Sequence, residues 1–204
     1  EIEILKKWCA DIETIIRAQS YLVLIHYPVV NKSGDVITSA LTNLDLHDIS
    51  RAAKTYGVAS LYVVTPLKDQ GRLIERLIAH WTRGAGAIYN PERKQALELV
   101  HLKESLHEVV EDIRAGSETG DSPRTVVTSA RNNRRAIRFS ELRQRLQNGK
   151  DYLLIFGTAW GLADSLISGA DYILEPVRGM SGYNHLSVRS AAAIILDRLL
   201  GQNN

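Results

Sequence analysis

Cysteine is almost absent from this chain of 204 residues, in which Cys9 is the single example. One thiol excludes a disulfide within the chain, and low cysteine use is typical of a reducing compartment such as the cytoplasm. No apolar run approaches the ~20 residues that span a bilayer. The opening Glu-Ile-Glu lacks the basic and apolar regions of a signal peptide. We therefore expect a cytoplasmic location and no membrane partner.

Several sequence signatures of nucleotide, hydrolase and metal chemistry are also missing. There is no G-x-x-x-x-G-K-[ST], and Gly157-Thr-Ala-Trp-Gly161 does not match G-x-G-x-x-G, which argues against P-loop and nicotinamide dinucleotide sites. There is no G-x-S-x-G of a serine hydrolase. None of the six histidines has H-x-x-x-H or H-E-x-x-H spacing, so no metal site is expected.

What is present is a composition and a pattern typical of an α/β domain. Apolar residues make up 45% of the chain and charged residues 24%, with a net charge of +2. Apolar runs of strand length alternate with stretches of helical periodicity, which predicts a mainly parallel sheet flanked by helices. The predicted strands are residues 21–27, 60–65, 97–102, 124–130 and 152–156, with a further short strand directly before Glu175. The predicted helices with assigned bounds are residues 45–56, 70–81, 105–115 and 139–146, and an alanine-rich helix follows the last loop. Residues 1–20 are assigned to an N-terminal helix or linker and residues 21–204 to one domain.

Three loops in the last two fifths of the chain combine small and polar residues directly after a predicted strand. They are Thr128-Ser-Ala130, Gly157-Thr-Ala-Trp-Gly161 and Glu175-Pro-Val-Arg-Gly179. Open α/β sheets bind ligands at the carboxyl ends of adjacent strands. Small residues there let a ligand approach backbone N–H and C=O groups. The alternative is that each loop is only a tight turn, and Trp160 either walls a pocket or fills the core.

Three phrases of this sequence carry a resemblance to a known superfamily. They are T-N-L-D-L-H-D from Thr42, F-G-T-A-W-G-L from Phe156 and N-H-L-S-V-R from Asn184, the last leading into an alanine-rich helix. Together they resemble the SPOUT RNA methyltransferases, in which the C-terminal segment forms a deep trefoil knot. The resemblance runs from about residue 21 to residue 201. It is strongest to a bacterial branch that is encoded beside, or fused to, the tRNA guanine methyltransferase.

The resemblance implies a cofactor, partners and a set of cofactor contacts. The cofactor is S-adenosylmethionine, the substrate is RNA (tRNA or rRNA), and the chain is expected to form a homodimer and to be fused to or associated with a tRNA guanine methyltransferase. The residues expected around the cofactor are Thr128, Ser129, Ala130, Phe156, Gly157, Thr158, Gly161, Leu174, Glu175, Gly179, Asn184, Leu186 and Ser187. Glu175 is expected to pair with the ribose hydroxyls or the methionine ammonium, or else to be a surface carboxylate.

The expected catalytic residues come from the first and third phrases. Arg51 matches the essential arginine of the superfamily's first motif, and Asp48 and His47 lie three and four residues before it on one helical face. Either of them could accept a proton; the alternative is a local Asp48–Arg51 ion pair. His185 is expected to contact substrate or to pack in the loop. Two positions depart from the superfamily pattern, because Asp45 and His185 stand where asparagine is usual.

Positive charge is concentrated between Arg124 and Lys150, where eight cations face one acid, Glu141. Such a local excess in a nearly neutral chain favours contact with a polyanion. The alternative is a solvated arginine-rich loop and helix. The residues expected to bind RNA are Asn43, Arg131, Arg134, Arg135 and Arg178, with Asn43 alternatively a helix cap. We expect an RNA methyltransferase; the competing hypothesis is a non-catalytic RNA-binding module with the same fold.

Overall fold

A parallel sheet of seven strands forms the centre of the computed structural model, which describes residues 19–202. In chain order the described strands are β1 (Ser20–Ile25), β2 (Val29–Val30), β3 (Val36–Ile37), β4 (Ser60–Val64), β5 (Val100–Lys103), β6 (Arg124–Val127), β7 (Ala136–Ile137), β8 (Tyr152–Gly157) and β9 (Tyr172–Leu174). Strands β2 and β3 form a separate antiparallel ribbon, and the other seven form the sheet. The sheet order is β5-β4-β1-β8-β6-β9-β7, and every neighbouring pair is parallel. The predicted parallel sheet is confirmed. The helix predicted before residue 19 lies outside the described residues.

Helices connect these strands and cover both faces of the sheet. They are α1 (Asn43–Thr55), α2 (Lys68–Thr82), α3 (Ala85–Tyr89), α4 (Pro91–Leu97), α5 (Leu106–Gly116), α6 (Phe139–Arg145), α7 (Asp164–Gly169) and α8 (Val188–Leu200). The four helices predicted with bounds are present within two residues at each end. Thr42, not Asn43, caps α1, because its hydroxyl accepts a hydrogen bond from Asp45 N. No described helix has both the length and the apolar character needed to cross a membrane.

The central strands β1 and β8 are buried on both faces, as their continuous apolar sequences require. Side chains of one face pack against α1 and α8, and those of the other face pack against α5. The register pairs Leu24 with Phe156 and Ile25 with Gly157. The two strands therefore end side by side, and the loops that follow them lie next to each other.

The segment after β9 runs back across the segment that connects β6 to β8. Glu175 N donates to Ile137 O at 3.0 Å, and the Glu175 carboxylate accepts from Phe139 N at 2.7 Å. Further along, Asn184 Nδ2 donates to Ala130 O at 2.9 Å. These bonds join the segment after β9 to the segment between β6 and β8. The deep trefoil knot itself stays a prediction.

Candidate functional site

A hollow of about 1090 Å³ lies at the carboxyl ends of β6, β8 and β9. The three strand-end loops meet in it, as the sequence predicted. Of the thirteen residues expected around a cofactor, eleven line the hollow; Leu174 is buried within β9 and Gly179 lies outside. The eleven are Thr128, Ser129, Ala130, Phe156, Gly157, Thr158, Gly161, Glu175, Asn184, Leu186 and Ser187.

The loop after β8 is held in an unusual backbone conformation. Ala159 has φ of 51°, and Gly161 has φ of 115°. Trp160 N donates to Val30 O at 3.1 Å, and Val30 N donates to Gly161 O at 2.9 Å, so the β2–β3 ribbon supports this turn. Gly157 is required here because a Cβ atom would lie 2.8 Å from Leu162 N. The tight turn leaves Trp160 at the rim of the hollow, with 53% of its surface exposed.

The loop before α8 forms another side of the hollow. The Ser187 hydroxyl caps α8 by accepting from Ser190 N at 3.3 Å. His185 lies at the rim with its ring centroid 5.3 Å from that of Tyr183. Apolar side chains of α8, Ala191 and Ile195, complete the floor together with Phe156. The site thus combines an apolar floor with polar edges, which suits a ligand with a planar base and several polar groups.

A fourth side of the hollow, which we call the N-terminal wall, was not predicted from the sequence. It consists of Lys32, Ser39, Ala40, Thr42 and Asp45. These residues lie before and at the start of α1, more than 80 positions away from the strand-end loops in the sequence. The sequence feature that could have indicated this wall is Asp45, which stands at a motif position where the superfamily usually has asparagine.

Asp45 is fixed on this wall by two partners. Its carboxylate accepts from the Thr42 hydroxyl at 2.5 Å and lies 3.1 Å from Arg189 Nε. Arg189 Nη1 also donates to Asp48 Oδ2 at 3.1 Å. Arg189 therefore joins the start of α8 to α1, and Asp48 is paired with it instead of with Arg51.

A chain of hydrogen bonds begins at the end of β1 and reaches the hollow. His26 is fully buried, and its Nδ1 lies 2.9 Å from Ser39 Oγ. Ser39 Oγ is hydrogen-bonded to Thr158 Oγ1, which donates to Ile25 O at 2.9 Å. Burial lowers the pKa of His26 to about 4, although Asp45 and a hydrogen bond with the backbone of Ser39 act in the opposite direction. The ring is therefore neutral at neutral pH, and its Nε2 is buried without a hydrogen-bond partner among residues 19–202.

Three of the four expected catalytic residues lie away from this hollow. Arg51 borders a second, smaller hollow of about 340 Å³, together with Lys54 and Arg93. The ring of His47 lies edge-on to Trp81 at 5.4 Å, and burial, with a contribution from Arg93, lowers its pKa. Asp48 is the third. Only His185 of this set lines the large hollow.

The arginine-rich segment divides into residues that stabilise the fold and residues that are free. Arg124 pairs with Asp171, Arg145 with Glu141, and Arg143 donates to the carbonyl oxygens of Arg198 and Gly201. By contrast, the exposed residues Arg131, Arg134, Arg135 and Arg138 make no ion pair within the described part of the chain. Arg131 lines the hollow, whereas Asn43, Arg134, Arg135 and Arg178 are exposed elsewhere. No cluster of three or more metal-ligating side chains occurs between residues 19 and 202.

Known proteins are similar to this chain over most of its length. A tRNA (guanine-N(1)-)-methyltransferase of Oleidesulfovibrio alaskensis is 47% identical over 181 residues, which are 89% of this chain but 42% of that protein. This chain thus spans about two fifths of that relative. An uncharacterized protein of Aquifex aeolicus is 41% identical over 190 residues, which are 93% of this chain and 92% of that protein.

Solved structures share the fold at low sequence identity. The SpoU methyltransferase AviRb of Streptomyces viridochromogenes, in complex with AdoMet, superposes with a TM-score of 0.52 at 18% identity, covering 90% of this chain and 60% of that one. A probable methylase family protein of Haemophilus influenzae gives a TM-score of 0.59 at 18% identity, covering 89% and 65%. Residues 19–201 match the model of a family described as SAM-dependent RNA methyltransferase. With its parallel sheet of seven strands and a hollow at the strand ends, the chain belongs to this family of S-adenosylmethionine-dependent RNA methyltransferases.

Proposed function

We propose that this chain transfers a methyl group from S-adenosylmethionine to a nucleotide of a structured RNA, with tRNA as the first candidate. The observation that carries the proposal is the large hollow, which is lined by the three strand-end loops and the N-terminal wall. Its volume of about 1090 Å³ exceeds the roughly 300–1,000 Å³ of ordinary ligand sites. It therefore has room for a cofactor and for a nucleoside beside it.

The residues that line the hollow fit S-adenosylmethionine chemically. Phe156 and Ile195 supply apolar surface for the adenine ring, and the small residues Ser129 and Gly157 leave backbone groups accessible to its edge. One Glu175 oxygen is held by Phe139 N, and the carboxylate is suited to a ribose hydroxyl or an ammonium group. Bound there, the cofactor would supply an activated methyl group. The protein's task is then to align the acceptor and exclude water.

Free arginines beside the hollow support RNA as the substrate. Arg131 lies on the hollow, and Arg134, Arg135 and Arg138 follow on the same exposed segment without carboxylate partners in residues 19–202. Unpaired guanidinium groups suit phosphate oxygens through their planar fork. The name of the Oleidesulfovibrio relative points to tRNA. The guanine-N1 activity in that name belongs to a protein of which this chain matches 42%.

Homodimer formation, a cytoplasmic location and association with a tRNA guanine methyltransferase complete the proposal. The exposed side chains of Leu44 on α1 and Leu73 on α2 offer apolar surface for a second copy. Low cysteine use supports a reducing compartment. Fusion or association is supported by the Oleidesulfovibrio protein, in which a segment like this chain forms 42% of a longer tRNA methyltransferase.

The test is incubation of the 204-residue chain with isotope-labelled S-adenosylmethionine and, in separate reactions, purified tRNA and purified rRNA. Mass spectrometry of the digested nucleosides should then show label in one type of nucleoside, in tRNA. Calorimetric titration with S-adenosylmethionine is run in parallel. Cofactor binding and RNA binding without any methylation would leave the non-catalytic RNA-binding module. Absence of cofactor binding would overturn the proposed site.

A further inference from the structure

The hydrogen-bond chain from His26 to the hollow has one arrangement of protons that accounts for its three hydrogen bonds. Thr158 Oγ1 donates its single proton to Ile25 O at 2.9 Å. The bond between Ser39 and Thr158 must then use the Ser39 proton. Ser39 Oγ consequently accepts at 2.9 Å from His26 Nδ1, which carries the ring proton. Both hydroxyl protons are engaged within the protein.

The hydroxyl groups of Ser39 and Thr158 therefore have only lone pairs to offer to a ligand. Each hydroxyl oxygen has two acceptor positions, and one position on each is already used by the chain. Both residues line the hollow. A ligand group that meets them must supply a proton, as the N–H of a base or the O–H of a ribose does.

We propose that Ser39 Oγ accepts a hydrogen bond from the N–H or O–H group of the target nucleoside, and that His26 is a positioning residue that fixes the Ser39 hydroxyl for this contact. The inference rests on the methyl transfer proposed above and names a substrate contact within that site. It assigns a role to a buried histidine that the sequence patterns did not single out.

The position of Ser39 favours the nucleoside over the cofactor as its ligand. Ser39 belongs to the N-terminal wall with Thr42 and Asp45, whereas the apolar floor is formed by Phe156 and Ile195. The floor suits adenine, and the volume leaves further space beside it. The N-terminal wall is thus the side of the site that remains for the methyl acceptor.

A buried histidine at position 26 lowers the stability of the fold, which suggests that its ring has a functional role. The side chain is fully buried, and its Nε2 has no partner within residues 19–202, a loss that an apolar residue of similar size would avoid. Because burial keeps the ring neutral, Nδ1 and Nε2 together carry a single proton. The ring donates that proton to Ser39 and so determines which way the hydroxyl points.

The first experiment compares Ser39→Ala with Ser50→Ala as a matched control. Ser50 is buried and, like Ser39, uses its hydroxyl proton within the protein: it donates to His47 O at 3.1 Å, away from the hollow. Ser39→Ala is expected to lower kcat for RNA methylation by about 10- to 100-fold through misalignment of the acceptor. Its affinity for S-adenosylmethionine in calorimetry should equal that of the wild type. Ser50→Ala should retain wild-type kcat.

The second experiment tests whether His26 acts through Ser39. His26→Leu keeps the volume but removes the donor, and should lower kcat as Ser39→Ala does. His26→Asn, whose amide N–H can replace Nδ1–H, should restore part of the loss. In the double variant His26→Leu/Ser39→Ala the losses should not add, because both changes break one chain. NMR of ¹⁵N-labelled histidine should show the Nδ1–H form of His26 in the wild type and a changed signal in Ser39→Ala.

The outcomes separate this inference from the proposed function. An active wild type with unaffected Ser39→Ala activity overturns the Ser39 contact alone. A loss of cofactor affinity in Ser39→Ala assigns the hydroxyl to the cofactor and also overturns it. Additive losses in the double variant overturn the positioning role of His26. A wild type that binds both ligands but transfers no methyl group overturns the proposed function and, with it, this inference.

Discussion

At the scale of single residues, Asp171 shows how one carboxylate can join two strands. It accepts hydrogen bonds at 2.8 Å from Thr125 N, Thr125 Oγ1 and Arg124 Nη1, and so ties the start of β6 to the start of β9. Partial burial favours the protonated form, but the bonds from Thr125 and Arg124 prevail and lower the pKa of Asp171. The carboxylate therefore stabilises the fold in its charged form.

We expect Asp171→Asn to lower the free energy of unfolding at pH 7 by about 1 kcal/mol, the lower end for bonds to a charged group because the site is partly exposed. Since the pKa is lower in the folded state, the contribution is complete above the unfolded pKa of about 4 and is lost as the pH falls below it. Urea denaturation of wild type and variant at pH 7 and pH 3 should show the difference shrinking. Asp69→Asn, at an exposed i,i+3 pair, is the control and should change stability little.

Gly157 and Gly179 form a matched pair of glycines for testing the cofactor loop. A Cβ atom at Gly157 would meet Leu162 N at 2.8 Å, whereas one at Gly179 would meet no atom within 4 Å. Gly157→Ala must therefore displace the loop after β8. We expect it to weaken S-adenosylmethionine binding about tenfold or more, equivalent to ~1.4 kcal/mol.

Calorimetric titration of both variants checks this expectation. Gly179→Ala should bind the cofactor as the wild type does, because Gly179 does not line the hollow. Equal affinity for Gly157→Ala and the wild type would show that the loop after β8 does not contact the cofactor.

At the scale of elements, the segment from β6 to α6 has two roles that are carried by different arginines. Arg143 and Arg145 lie on α6 and hold the fold together, whereas Arg134 and Arg135 lie in the loop before β7 and have no ion-pair partner between residues 19 and 202. Charge counting along the sequence cannot separate the two groups. The group that accepts from a fold-stabilising arginine can lie far away in the sequence, as Gly201 O does for Arg143.

We expect the double variant Arg134→Gln/Arg135→Gln to bind tRNA with a smaller salt dependence than the wild type. Each lost phosphate contact should reduce the slope of log K against log [salt] by about 0.7–0.9. Filter binding across a series of salt concentrations measures the slope. Arg72→Gln removes an arginine that is already paired with Asp69 and should leave the slope unchanged. An unchanged slope in the double variant would exclude both arginines as phosphate contacts.

The elements predicted from the sequence are those with a clear period or a long apolar run. Helix α3 was missed because Gly84 and Gly86 indicated only a break, and the β2–β3 ribbon was missed because two-residue strands have no detectable period. The N-terminal wall was missed for a different reason. Ser39 meets Thr158 only because β1 and β8 are neighbours in the sheet, and that adjacency is not encoded in either segment alone.

At the scale of the whole molecule, the start of α2 is bonded to the segment before α1, which includes most of the N-terminal wall. The Gln70 side chain accepts from Leu41 N at 3.1 Å and donates to Ser39 O at 3.3 Å. Leu44 and Leu73 project from these two helices and are each 58% exposed. Leu44 lies between Thr42 and Asp45 of the N-terminal wall in the sequence, so a dimer formed through Leu44 and Leu73 would have its interface near the proposed methyl-transfer site.

We expect the wild type to sediment as a dimer and Leu73→Glu to shift it toward the monomer, because a charge would be buried in the interface. Analytical ultracentrifugation at several concentrations measures both. Glu75→Lys, which alters the charge of the same helix without removing an apolar side chain, serves as the control. A monomeric wild type, or a Leu73→Glu variant that stays dimeric, would contradict a dimer formed through this surface.

Trp160 gives the molecule a built-in optical reporter. The indole stands half exposed at the mouth of the hollow, on a turn whose backbone is anchored to β2. A nucleoside or cofactor that enters the hollow should replace water around the Trp160 indole with a stacked or quenching group. Tryptophan fluorescence should therefore report ligand binding in real time without an attached dye. Stopped-flow mixing could then resolve the order in which the two ligands arrive.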